Sequence, residues 1–365
     1  MMPGMSDKHP PPPPGLAADY STARSEFLAA VASAGASVWS SIHPRTGPGG
    51  EQLALDVATL GPRDASTTVL VVSGTHGVEG FCGSALQTNW LRRCTADRPD
   101  NVRVVLIHAL NPYGFAWVRR VNEENIDLNR NFIDWDSPPP HNADYDDLAD
   151  LLVPESFTEA EQKRTFDTLF SRAMEVGLEQ LQAEVSRGQY AHPRGVFYGG
   201  ATQAWSNDKL ETIWADELAG TRSAIVIDLH TGLGPWGHGE LIAHDHATTP
   251  GYERATALWG QVHSMVDGES VSAALSGDWL GWIEKWAGDT EVTACALEYG
   301  TIDPIDVLLA LRADAWLHGY GDPLGPAGEE IRGQVRAAFA DDDPAWIASC
   351  WQRFHEVMGA ALNHE

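Results

Sequence analysis

The stretch Val69-Leu-Val-Val-Ser-Gly-Thr-His-Gly-Val-Glu79 decides how this chain is read. Its first four residues are apolar and mostly β-branched, as in a buried strand, and the Ser73-Gly74-Thr75-His76-Gly77 that follows is turn sequence. A helical pattern then runs from about Glu79 to Arg93. Val102-Arg-Val-Val-Leu-Ile-His108 reads as the next buried strand, and Asn111-Pro112-Tyr113-Gly114 as the turn that ends it. Two strands joined by a helix predict a parallel βαβ unit.

Outward from this unit the same alternation continues. Leu53 to Val57 looks like a first strand, and Ala224-Ile-Val-Ile-Asp-Leu229 is a third apolar strand that ends at His230. Glu240-Leu-Ile-Ala243 and the run from Val292 to Glu298 are two more. Strands that are apolar along their length and alternate with helices predict an α/β fold: a three-layer αβα sandwich with a mixed, mostly parallel central sheet. Amphipathic helices are expected from Tyr20 to about Ala34 and from Trp346 to Leu362. The run Pro10 to Pro14 predicts a disordered tail over residues 1–18, which leaves 19–365 as a single catalytic domain. Residues 134–190 read as an insertion, opening as a loop rich in Pro, Asp and Asn. There Thr158 and Glu161 form a capping box for a helix to about Ser186, whose Phe166, Leu169, Phe170, Met174 and Leu178 share one face, predicted to be core.

Composition narrows the function classes. The chain has 365 residues, 43% of them hydrophobic, enough to bury a sizeable core. Its 51 acidic and 24 basic residues give a formal charge of -27, a field that repels nucleic acid and anionic membranes. No apolar run is long enough to span a bilayer and no signal-peptide pattern opens the sequence, so a cytoplasmic location is expected, with neither nucleic acid nor membrane as partner. Cys82, Cys94, Cys295 and Cys350 form no CxxC pair and read as reduced, packed thiols. Neither GxSxG nor GxxxxGK[ST] occurs, which argues against a serine hydrolase of that type and a P-loop kinase.

Four features carry chemistry. His76 and Glu79 lie where a strand gives way to a helix, and His230 ends another strand, so all three can converge above the carboxyl edge of one sheet. Two imidazoles and a carboxylate leave a zinc ion one open position for water, the catalytic arrangement. An HxxE pair alone equally fits a surface pair at a helix start. Arg119 and Arg120 precede Asp127-Leu-Asn-Arg-Asn-Phe132, a clustering of forked donors suited to a carboxylate or oxyanion; ion pairs with Glu123, Glu124 or Asp127 are the competing account. Glu298 ends a nearly neutral strand, where desolvation would raise its pKa and suit it to general base work, against a structural salt bridge. Asp228 shares a strand face with His230 and fits either support of that imidazole or a buried ion pair. His244-Asp-His246 reads as a loop pair, and His108 as a core histidine.

In order along the chain, these pieces resemble the zinc carboxypeptidase superfamily, including its aspartoacylase and succinylglutamate desuccinylase branch. The matching residues are His76-Gly-Val-Glu79, Asn111-Pro-Tyr-Gly114, Asp127 to Asn131, His230 after Ile227-Asp-Leu229, and Glu298. With Phe197-Tyr-Gly-Gly200 and Trp205-Ser-Asn207, the chain looks most like a bacterial branch whose name specifies no substrate.

The resemblance implies that His76, Glu79 and His230 hold one zinc ion and that Glu298 is the general base and then acid. It implies that Asn129 and Arg130 grip a substrate carboxylate, and that Arg119 or Arg120 polarises the carbonyl. The short link from Arg119 to Asp127 leaves the choice between the two arginines open, and the tyrosine that digestive carboxypeptidases place over the substrate has no clear counterpart. Tyr198 is the candidate, with aromatic packing as the alternative. The expected reaction is hydrolysis of an amide next to a carboxylate, in a peptide or small molecule. Deacylation of small N-acyl amino acids is the runner-up, and a non-catalytic metal-binding module the rival from another class.

Overall fold

The computed structural model describes residues 10–364 of the protein. Its strands are β1 (Ser37–Thr46), β2 (Gln52–Leu60), β3 (Thr67–Ser73), β4 (Val102–His108), β5 (Ser223–Trp236), β6 (Gly239–Ala243), β7 (His263–Ser264) and β8 (Glu291–Gly300). They form one sheet in the order β1-β2-β4-β3-β5-β8-β6-β7. The centre is parallel, with β3 pairing to β4 and β5, and β5 to β8. The β1-β2, β2-β4 and β6-β8 pairs are antiparallel, so the sheet is mixed.

Side chains of a strand alternate between its two faces, and each face here meets its own helices. Val69, Val71, Val104, Leu106, Ile225 and Ile227 join a core with Phe27, Leu86, Trp90, Trp351 and Phe354 from the helices Tyr20–Ser33, Gly80–Arg93 and Pro344–Leu362. Leu70, Val72, Val105, Ile107 and Val226 pack instead with Leu210, Ile213 and Trp214 of the helix Trp205–Glu217. The expected βαβ unit is β3, the helix Gly80–Arg93 and β4.

Some expectations need correction. The strand at Leu53 is β2; β1 precedes it at the sheet edge, and its mostly exposed residues give no apolar run. Residues 1–9 of the predicted tail lie outside the described residues, while Pro10 and Pro11 accept hydrogen bonds from Trp351 Nε1 (2.7 Å) and Asn89 Nδ2 (3.0 Å). The capped helix breaks at Gly177, with φ at 91°, into Glu159–Val176 and Leu178–Ser186. Of its predicted core face only Leu169 is buried, while Phe166, Phe170, Met174 and Leu178 are exposed. The four cysteines are free and buried. Among the described residues, no helix is long and apolar enough to cross a membrane.

Candidate active site

Three neighbouring parallel strands bring the site together. β3 ends at Ser73 and the chain turns at Gly74, whose φ of 66° favours glycine. At Gly77 a Cβ would lie 2.1 Å from the backbone of Gly114, so only glycine lets the two loops approach. This turn carries His76 and leads into the short helix Gly77–Glu79. On β5 and β8, His230 and Glu298 are direct register partners, so both side chains emerge at the same level.

His76 Nδ1 lies 2.8 Å from Glu79 Oε1, His230 Nδ1 lies 2.8 Å from Glu79 Oε2, and the two Nδ1 atoms are 3.2 Å apart. All three residues are buried, and their ligand atoms fall within 4.8 Å of one another. A tetrahedral ion with bonds of about 2.0–2.1 Å sets its ligands about 3.3 Å apart, so this donor set fits zinc. Each imidazole is held from its far side. His76 Nε2 lies 3.2 Å from Asp127 Oδ1, and His230 Nε2 lies 2.6 Å from Asp228 Oδ2. Asp228 in turn accepts from Trp279 Nε1 (2.6 Å) and Thr75 Oγ1 (2.7 Å). These carboxylates fix both rings so that Nδ1 faces the centre. Among the described residues Cys94, Asp97 and His355 form a second close trio, away from the cavity lining.

The electrostatics divide the acids by task. Burial works to raise the Glu79 pKa, but the charges of His76 and His230 outweigh it and hold the group below the usual carboxylate range. Burial opposes ionisation of Asp127 too, and Arg120 with Arg130 pulls it well down. His230 is raised despite burial, by Asp228 and Glu79. Glu298 moves the other way: burial first, then the Glu79 charge, pushes it up to about 7. Its Oε1 accepts from the Leu233 N–H at 2.9 Å, which orients the carboxyl.

His76, Arg120, Asn129, Arg130, His230 and Glu298 line one end of a cavity of about 390 Å³, while Glu79, Asp127 and Asp228 hold them from outside the lining. The two arginines differ in position. Arg120 reaches the site, giving Nη1 to Glu79 Oε1 (3.1 Å) and Nε to Asp127 Oδ2 (3.0 Å). Arg119 does not line the cavity; it is buried and bonded to Asp314, the Asn122 carbonyl and Asn125. Tyr198 is also absent from the lining and is packed in the core cluster that contains Ile126, Leu128 and Trp214. Its neighbour Phe197, at φ 54°, takes the place over the site, with its ring 5.7 Å from the Arg120 guanidinium and 5.4 Å from that of Arg130.

Arg130 is half committed. Nε and Nη2 bond the Ser186 carbonyl at 3.0 and 2.6 Å and Nη1 bonds that of Asn129 at 3.0 Å, three of five donors. Asn129 Oδ1 is buried without a hydrogen-bond partner among the described residues, a polar group ready for a ligand. Asn131 pins the loop after Phe197, bonding the carbonyls of Gly199 and Thr202 and the amide of Ala204.

Sequence reasoning missed three lining or supporting groups. Asp127 as the His76 partner sat unread inside the quoted string, and Phe197 carried no signal beyond the glycines that follow. His244, read as a loop residue, lines the cavity and pairs with Asp278 at 2.7 Å. His246 pairs with Asp267 at the surface, and His108 is buried against Phe27 and Ser84.

Solved structures similar to this chain include carboxypeptidase A from Helicoverpa armigera, 12% identical, covering 88% of this chain and 73% of that one with a TM-score of 0.45. An aspartoacylase family protein from Mesorhizobium loti is 15% identical, covering 78% and 67% with a TM-score of 0.37. A succinylglutamate desuccinylase/aspartoacylase from Rhodobacter sphaeroides is 14% identical, covering 78% and 66% with a TM-score of 0.38. No curated protein matches the chain. Residues 16–353 match the family described as protein of unknown function (DUF2817), and the chain belongs to that family.

Proposed function

We propose that this protein is a zinc-dependent hydrolase that cleaves an amide bond next to a carboxylate. The observation that carries this reading is the convergence of two imidazole Nδ1 atoms on the buried Glu79 carboxylate where His76, His230 and Glu298 line one cavity. His76, Glu79 and His230 would hold the ion, and zinc bound there supplies Lewis acidity and lowers the pKa of water.

The rest follows from this chain's own residues. Glu298, with Oε1 fixed by the Leu233 N–H, takes the proton of the attacking water on Oε2 and returns it to the leaving amine; a pKa near 7 suits both transfers. Arg120 donates to the carbonyl oxygen as negative charge gathers there. The Asn129 Nδ2 amide and the free donors of Arg130 hold the substrate carboxylate, and Asn129 Oδ1 is left to accept from a substrate N–H. The water oxygen bonds to the carbonyl carbon, the C–N bond breaks, and the amine departs with the proton. A deacylase of small N-acyl amino acids calls for a closed pocket, whereas this cavity opens past Leu178 and Ile305, which are 65% and 47% exposed.

Steady-state rates on peptides and N-acyl amino acids test the proposal, with Glu298→Gln beside the wild type. The expected result is turnover in the wild type and, in the variant, zinc content kept but turnover lost. A variant that keeps most of its activity sinks the assignment, and a zinc-loaded wild type inert on every amide favours a non-catalytic module.

A further inference from the structure

The polar end accounts for a small part of the cavity wall. Beyond it the lining is mostly apolar, with Leu178, Leu181 and Val185 from the insertion and Ile305 and Leu308 from the helix Pro304–Tyr320, interrupted by Gln182, Ser272 and the His244–Asp278 pair. A carboxylate and an amide fill only the polar end; such walls are matched by an apolar group that displaces water from them. The wall also continues outside. Leu178 is at once cavity lining and exposed surface, and across the Gly177 break the preceding helix carries Met174, Phe170 and Phe166 at four-residue steps, 75%, 59% and 47% exposed. Four-residue steps place them in one stripe.

An apolar path therefore runs from the reacting groups, past a rim formed by Leu178 and Ile305, onto the outer face of the insertion. A single aromatic side chain would occupy only part of the cavity and would not reach the stripe, whereas a linear chain follows both. Resting on the hydrolase reading, we propose that the substrate is an N-acyl amino acid with a long alkyl chain. Its amide and carboxylate lie at the polar end, the start of the chain lies between Leu181, Val185 and Leu308, and the remainder leaves along Met174, Phe170 and Phe166. Hydrolysis releases the fatty acid and the free amino acid.

The test is a series of acyl derivatives of one amino acid, from acetyl to hexadecanoyl. kcat/KM is expected to climb by about fourfold per added methylene until the cavity is filled, then more shallowly along the stripe. Leu178→Glu and Leu181→Asn, shown to be folded by circular dichroism and to hold zinc, should each lower the dodecanoyl-to-acetyl ratio by about tenfold or more. Calorimetric binding of the intact dodecanoyl and acetyl compounds to Glu298→Gln gives a readout independent of turnover. Equal values for both compounds, or variants with the wild-type slope, overturn the proposal. So does a dimer that Phe170→Ser dissociates without changing the slope, because a second copy then covers the stripe. Chain-length-dependent binding without turnover of any amide by the wild type would refute the hydrolase reading, and with it the substrate role, while upholding the long-chain N-acyl amino acid as the ligand of this cavity.

Discussion

Asp228→Asn keeps the shape of a side chain that touches no ligand position and removes only its charge. Asp228 Oδ2 meets His230 Nε2 and Trp279 Nε1, both at 2.6 Å, and Oδ1 meets Thr75 Oγ1 at 2.7 Å. An asparagine satisfies this cradle by turning its oxygen to the histidine and tryptophan and its amide to the threonine hydroxyl, which can rotate to accept. The His230 bond then loses charge assistance, falling from about 1.5–3 kcal/mol to about 0.5–1.5 kcal/mol. A loss of roughly 1.4 kcal/mol is tenfold in binding, the lower end of the tenfold to hundredfold found when such outer partners of metal-ligating histidines are removed. Competition against a chromophoric chelator at fixed pH measures it directly. The expected result is zinc bound about ten to a hundred times more weakly, with turnover largely restored at saturating zinc. An affinity within about twofold of wild type, in a folded variant, would refute the claim that Asp228 aims the His230 imidazole at the metal.

Other perturbations separate the remaining roles. Glu298→Gln should lower kcat by roughly a hundredfold to ten-thousandfold, with zinc content unchanged. In the wild type, kcat/KM should fall as pH drops through the Glu298 pKa, because a carboxyl already protonated cannot take a proton from water. That pKa is about 7 without metal, and the charge of a bound cation moves the limb lower; a profile flat through that region contradicts the base assignment. Arg119→Met takes the hydrogen-bonded partner from buried Asp314 and leaves it only His318 Nε2 at 3.6 Å, so it should destabilise the fold by about 3–5 kcal/mol in urea denaturation. Arg120→Met should instead lower kcat; the reverse pattern would exchange the two residues' roles.

What the sequence made legible was whatever a strand dictates locally. Apolar runs marked β3, β4, β5 and β8, and alternation put Asp228 on the His230 face; the strands predicted to end at His230 and Glu298 instead run on to Trp236 and Gly300, so these two side chains project from within β5 and β8 beside His76, which follows β3. Features set by a single backbone torsion or a distant partner were not legible. Val118, at φ 56°, turns the chain so that Arg119 faces Asp314 while Arg120 faces Glu79 and Asp127, and two adjacent arginines carry no mark of that turn. Phe197 displaces Tyr198 from the site for the same kind of reason. The stripe from Phe166 to Leu178 shows a different limit: periodicity identifies residues that share a face, and only the fold says whether anything covers it.

The central claim rests on one ion between His76, Glu79 and His230, and zinc per chain, measured by elemental mass spectrometry on purified wild type and His76→Ala, tests it most directly. A single tetrahedral site predicts about one zinc per wild-type chain and close to none in the variant. Less than about half an equivalent in the wild type, or an equivalent that survives the loss of His76, would contradict the account.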